Sequence, residues 1–93
     1  MEDRDLIEVF AAIRDPATMR RFFREIFTRS EIADLSLRWK LMKMLKTGMP
    51  QRRIAEVLGV SLCKITRGAR LIKDPSTVTN RYIGKPKSRR KHA

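Results

Sequence analysis

Apolar residues recur along this chain at steps of three and four, the spacing of one face of an α-helix. Leu6, Val9, Phe10 and Ile13 form the first stripe. Asp15-Pro16 closes it and opens the next: the aspartate suits a helix cap, and the proline suits a first helical position, where a missing N–H costs nothing. Met19, Phe22, Phe23, Ile26 and Phe27 make the second stripe, with Arg20, Arg21 and Arg24 to its side. Thr28-Arg29-Ser30-Glu31 is a capping-box pattern and predicts the start of a third helix. Its apolar positions, Ile32, Leu35, Trp39, Met42 and Leu45, flanked by Leu41 and Met44, make it broadly apolar and central, and Gly48 ends it. Trp39 and the methionines fall mostly on such stripes, so core packing is expected of them rather than a cofactor box.

A short fourth helix follows Pro50, carries Ile54, Val57 and Leu58, and stops at Gly59. Ser61 caps a fifth, holding Leu62, Ile65, Leu71 and Ile72, until Asp74-Pro75 breaks the chain. No segment alternates apolar and polar residues long enough to argue a strand, so the fold class is all-α, with five to six short helices. Val78, Tyr82 and Ile83 allow one further helical turn. The expected organisation is one helical domain over residues 1–75 and a basic, flexible tail over 76–93.

From Gln51 to Leu71 the small and apolar residues stand where a helix-turn-helix, spanning about 50–73, needs them. Ile54 and Leu58 point inward, Ala55 allows the two helices to cross closely, Gly59 takes the positive φ of the turn, Val60 fills its underside, and Ile65 anchors the second helix. Leu62, Cys63, Lys64, Thr66 and Arg67 then lie where a recognition helix meets base edges, while Gln51 and Arg52 open the first helix and Lys73 extends the basic face. An ordinary helical hairpin is the plainer alternative for this pattern.

Charge sharpens the reading. The 93 residues carry 22 Lys and Arg against 10 Asp and Glu, a net of +12, and 42% are hydrophobic, enough to fill a core. Residues 1–36 hold six basic and eight acidic side chains; residues 37–93 hold sixteen basic ones and only Glu56 and Asp74. Such a one-sign field suits a polyanion, double-stranded DNA first, with a solvated surface and an anionic membrane as competitors. The length excludes a multi-domain enzyme, and no catalytic constellation is apparent. With one cysteine and one histidine, Cys63 and His92, neither an internal disulfide nor a zinc site is expected, and Cys63 reads as a small residue near the groove, not a nucleophile. No long apolar run or signal peptide stands out, so a cytoplasmic, nucleoid-associated protein with no membrane partner is expected.

Met49-Pro50-Gln51-Arg52, Gly59-Val60 and Ile65-Thr66-Arg67-Gly68 resemble the bacterial tryptophan repressor family, over roughly Thr28 to Lys73. The resemblance implies an intertwined homodimer that represses transcription at a DNA operator, with L-tryptophan or a related small molecule as corepressor. It also implies a ligand site: Thr28 as the pocket threonine, Arg38 packing on the indole, Arg67 holding the carboxylate and Gly68 giving the ring space. This chain departs from the family in three places. Leu71 stands where a serine lies near the ligand amino group, the Thr47–Pro50 loop is one residue shorter, and a basic tail replaces the last helix. Three rival readings stay open: a ligand-independent DNA-binding regulator, the targeting subunit of a transposase-type system, and an RNA-binding protein.

Overall fold

The computed structural model describes residues 3–84. Six helices follow in chain order: α1 Arg4–Ala12, α2 Pro16–Ile26, α3 Arg29–Lys46, α4 Gln51–Leu58, α5 Leu62–Lys73 and α6 Val78–Tyr82, with no strand among the described residues. The chain divides into two compact units, Met1–Leu35 and Ser36–Ala93, and the division falls within α3.

In the first unit the helix boundaries are local chemistry. The Asp15 carboxylate accepts from the Thr18 N–H at 2.9 Å and its hydroxyl at 2.7 Å, and Pro16 sits at the first helical position. These bonds hold the Asp15 carboxyl below its ordinary value, the Thr18 hydroxyl contributing most. Thr28 and Glu31 exchange reciprocal bonds at the start of α3, the Glu31 N–H to the threonine oxygen at 3.1 Å and the Thr28 N–H to the glutamate at 2.9 Å. Between α1 and α2 the packing is aromatic: Phe10 meets Phe22 edge-on at 5.2 Å and Phe23 at 5.9 Å, and lies stacked with Phe27 at 6.4 Å. Neither α1 nor α2 buries any residue completely.

The second unit has a closed core. Leu41 and Met42 from α3, Ile54 from α4, Ile65 from α5 and Ile83 after α6 are buried together, with Ile54 and Ile65 fully so. Gly59, at φ 67°, ends α4 in the left-handed conformation, and its N–H and that of Val60 both reach the Ala55 carbonyl. This turn lets α5 start at Leu62, with the Ser61 hydroxyl accepting from the Lys64 N–H at 3.4 Å. On α5, Gly68 is buried against α3: a Cβ built there would stand 2.9 Å from Leu41 Cδ2, 3.2 Å from Met42 Cγ and 3.4 Å from Leu45 Cδ1.

One expectation is corrected. Trp39, assigned to the core, is 41% exposed, because α3 turns Leu41, Met42 and Leu45 towards Gly68 and Trp39 falls on the other side. Leu62, expected among the residues that meet base edges, is exposed, as is Leu71. The packed unit includes residues beyond 75. α6 is capped by Thr77, whose oxygen accepts from the Asn80 N–H, and Ile83 is in the core, so the further helical turn that Val78, Tyr82 and Ile83 allowed is formed. The remaining tail, 85–93, lies outside the described residues.

Candidate nucleic-acid interface

The outward side of α4 and α5 is built by what points inward. On α5 the buried residues are Ile65, Gly68 and Ala69, and the helical repeat then turns Cys63, Thr66, Arg67 and Arg70 away from the core. Leu62, Cys63, Lys64, Thr66, Arg67, Arg70 and Lys73 are all exposed. The Thr66 hydroxyl donates to the Leu62 carbonyl at 2.9 Å, which fixes its rotamer and leaves its oxygen facing outward as an acceptor. Cys63 is a free thiol on this surface.

Gln51, Arg52 and Arg53 occupy the exposed first turn of α4, directly after Pro50. Glu56, one of two acidic residues beyond position 36, lies 3.8 Å from Arg53, so a carboxylate opposes that guanidinium and not Arg52. The exposed side of α4 and α5 is thus cationic, with two short polar donors or acceptors, Gln51 and Thr66, set among the charges. Guanidinium and amide groups of this kind match guanine and adenine edges, and ammonium groups match phosphate.

The four residues assigned to a ligand fall in both units. Thr28, in the first, lines a surface cavity of about 750 Å³ with Arg24, Phe27, Arg29 and Ile32, and a smaller one of about 440 Å³ lies between Pro16, Met19, Arg20, Phe23, Arg24 and Ile32. Arg24 borders both, an arginine outside the four that the sequence assigns to a ligand; its position on the side of the second stripe is the signal that could have found it. In the second unit, Arg38 and Arg67 are exposed on α3 and α5, whereas Gly68 is covered by α3 side chains.

A further group escapes sequence reasoning. The Asn80 side chain accepts from Lys46 Nζ and donates to the carbonyls of Ile72 and Asp74, satisfying backbone at the end of α5. The Thr77 hydroxyl adds bonds to the Leu71 and Asp74 carbonyls. Asp74 itself accepts from the Ser76 hydroxyl and N–H, which hold its carboxyl below the ordinary value. Only the Asp-Pro-Ser-Thr run hints at this turn.

Among the described residues no helix is long and apolar enough to cross a membrane. The family described as Trp repressor protein matches residues 4–85, well beyond the stretch from Thr28 to Lys73 that carries the motifs. A protein of Xylella fastidiosa strain M23 named Trp operon repressor homolog is 39% identical over 70 residues, covering 74% of this chain and 76% of its own length. A Chlamydia caviae protein of the same name is 31% identical over 70 residues, covering 74% and 69%. No solved structure matches the chain significantly. With the family matched from residue 4 to 85 and relatives of this identity over three quarters of its length, the chain belongs to the Trp repressor family, a family of regulators and not of enzymes.

Proposed function

We propose that the protein is a sequence-specific, double-stranded-DNA-binding transcriptional repressor that acts as a homodimer, with L-tryptophan or a related small molecule as corepressor. The observation that carries the DNA reading is the exposed face of α5, where Cys63, Thr66, Arg67 and Arg70 stand opposite a buried Ile65–Gly68–Ala69 side. In the helix-turn-helix reading, α5 enters the major groove with Leu62, Cys63, Lys64 and Thr66 at base edges, Gln51 and Arg52 contact phosphate and a guanine edge from α4, and Lys73 extends the basic face. Thr28, Arg38 and Arg67 supply the ligand contacts, the guanidiniums suiting a carboxylate and an aromatic face.

Gly68 favours a second reading, in which the regulator needs no ligand. Close packing on Leu41 and Met42 already accounts for the glycine, without a ring beside it. Leu71, in place of a polar partner for an ammonium, points the same way.

Selection from a randomised duplex pool, with and without millimolar L-tryptophan, separates the two. A palindromic consensus recovered only with tryptophan is expected for the corepressor reading. The same consensus recovered without it assigns Arg38 and Arg67 to DNA or to structure, and a pool that stays unselected in both arms overturns DNA sequence recognition.

A further inference from the structure

The far end of α5 is held by side chains of the element that follows it. Ile65, Gly68 and Ala69 fix the middle of the helix, but past Ala69 no residue of α5 is buried, and Ile72 is only partly covered. A helix end leaves carbonyls without an intrahelical partner. On α5 the Leu71 carbonyl accepts from the Thr77 hydroxyl at 3.1 Å, and the Ile72 carbonyl accepts from the Asn80 amide nitrogen. The same nitrogen donates to the Asp74 carbonyl at 3.1 Å, and the Asn80 oxygen accepts from Lys46 Nζ. Only this orientation of the amide fits, since the reverse sets its nitrogen against an ammonium and its oxygen against two carbonyls.

Lys46 is the last residue of α3, and four residues separate it from α4. That link is bonded back onto α3. The Gly48 N–H donates to the Leu45 carbonyl at 3.0 Å, the Met49 N–H to the Met44 carbonyl at 3.3 Å, and the Thr47 hydroxyl to the Met44 carbonyl at 2.6 Å. Asn80 therefore joins the end of α5 to the short, tied segment that delivers Gln51 and Arg52, all within the second unit.

From this arrangement we infer that Asn80 is a positioning residue for sequence recognition: it fixes the angle of α5 against the first turn of α4, so that Thr66 and Arg52 meet base edges of one duplex together. The inference rests on the DNA-binding reading above. Asn80 acts through α5 and Lys46, with no base contact of its own. The angle matters unequally to the two kinds of contact. Hydrogen bonds to base edges weaken steeply when donor and acceptor are misaligned, whereas the attraction of a cation to phosphate reaches over several ångströms in any direction. Loss of Asn80 therefore falls on preference for the selected sequence, and general affinity for duplex stays.

The test uses the full chain with its selected duplex and a scrambled one. Asn80→Ala removes both halves of the tie, and Lys46→Met severs only the link to α3 while the α5 carbonyls keep their partners. Circular dichroism and thermal melting establish which variants are folded at the assay temperature, and if Asn80→Ala is not, Lys46→Met decides. The preference for selected over scrambled duplex is expected to fall about tenfold in Asn80→Ala, the size of one mismatched base pair, and at least about threefold in Lys46→Met. The salt dependence of binding to the scrambled duplex should stay as in the parent. In an Arg52→Ala background the Asn80→Ala loss should shrink, because the base contact it aligns is already gone; fully additive losses overturn the route through α4. A folded variant whose Tm falls while its preference stays within about twofold of the parent makes Asn80 a structural cap only and overturns the inference. A parent chain that prefers no duplex defeats the DNA-binding reading itself, whereas a discriminating parent with equally discriminating variants defeats the positioning role alone.

Discussion

Gly68 sets how closely α5 approaches α3, and its surroundings can be weighed. A methyl group there meets Leu41 Cδ2 at 2.9 Å and Met42 Cγ at 3.2 Å, so neighbours must shift, at a cost of about 1–3 kcal/mol for overpacking. The same change removes a helical glycine, which returns about 1 kcal/mol. Gly68→Ala is therefore expected to lose about 1 kcal/mol, a fall in Tm of roughly 4–8 °C in a domain of this size, with Gly68→Val lower again. Thermal denaturation of the two variants checks this, and a Gly68→Ala chain more stable than the parent would show that the close approach is absorbed freely. In the exposed first turn of α4, Arg52 belongs to the DNA reading. Arg52→Ala is expected to weaken the selected duplex by about 1–3 kcal/mol and to relax choice at one base pair. Equal loss on every sequence would reduce Arg52 to a phosphate contact.

At the scale of elements, two caps respond to acid. The carboxyls of Asp15 and Asp74 titrate below their ordinary value of 3.8 because Thr18 and Ser76 hydrogen-bond the ionised forms. A folded value below the unfolded one means that each carboxylate supports the fold above pH 3.8 and loses that support as the pH falls through the folded value. Helicity is thus expected to fall below about pH 3.8, and Asp15→Asn, which keeps a capping oxygen without a charge, should blunt the α2 share of that fall. Circular dichroism from about pH 6 to about pH 2 measures it; identical curves for parent and variant would remove Asp15 from the transition. These caps also show which elements were legible in the sequence. Asp15-Pro16, Thr28 with Glu31, Gly59 and Ser61 act on neighbours within four residues, so α2 to α5 follow from short stretches of chain. α6 has only five residues and depends on Asn80 meeting Lys46, thirty-four positions away, a pairing no local pattern carries. Trp39 misled for the same reason. On a helix whose apolar and polar residues are mixed around its circumference, the inward side is chosen by Gly68 on another helix. The exposed α5 residues were legible because their buried counterparts, Ile65 above all, keep a strict helical period.

For the whole molecule, the two units differ in how much they bury. The second closes around Ile54 and Ile65, while α1 and α2 contain no fully buried residue and leave Leu6 37%, Ile7 56%, Val9 42% and Ile26 44% exposed. Units of fewer than about 40 residues seldom fold without a metal, a disulfide or a partner, and four exposed aliphatic side chains on one 35-residue unit are the surface that a second copy would cover. Homodimerisation is therefore expected, with twice the chain mass in sedimentation equilibrium at micromolar concentration. Because association and folding are then linked, Tm should rise with protein concentration. Trp39, the single tryptophan and 41% exposed in one chain, offers a second readout: its emission should move to shorter wavelength if the intertwined arrangement covers it. Replacing Ile7 and Val9 by Ser should leave the Ile54–Ile65 core folded while lowering the mass towards one chain. A parent chain that sediments as a monomer at about 100 μM, with a Tm independent of concentration, would mean that the apolar side of α1 and α2 is covered by something other than a second copy.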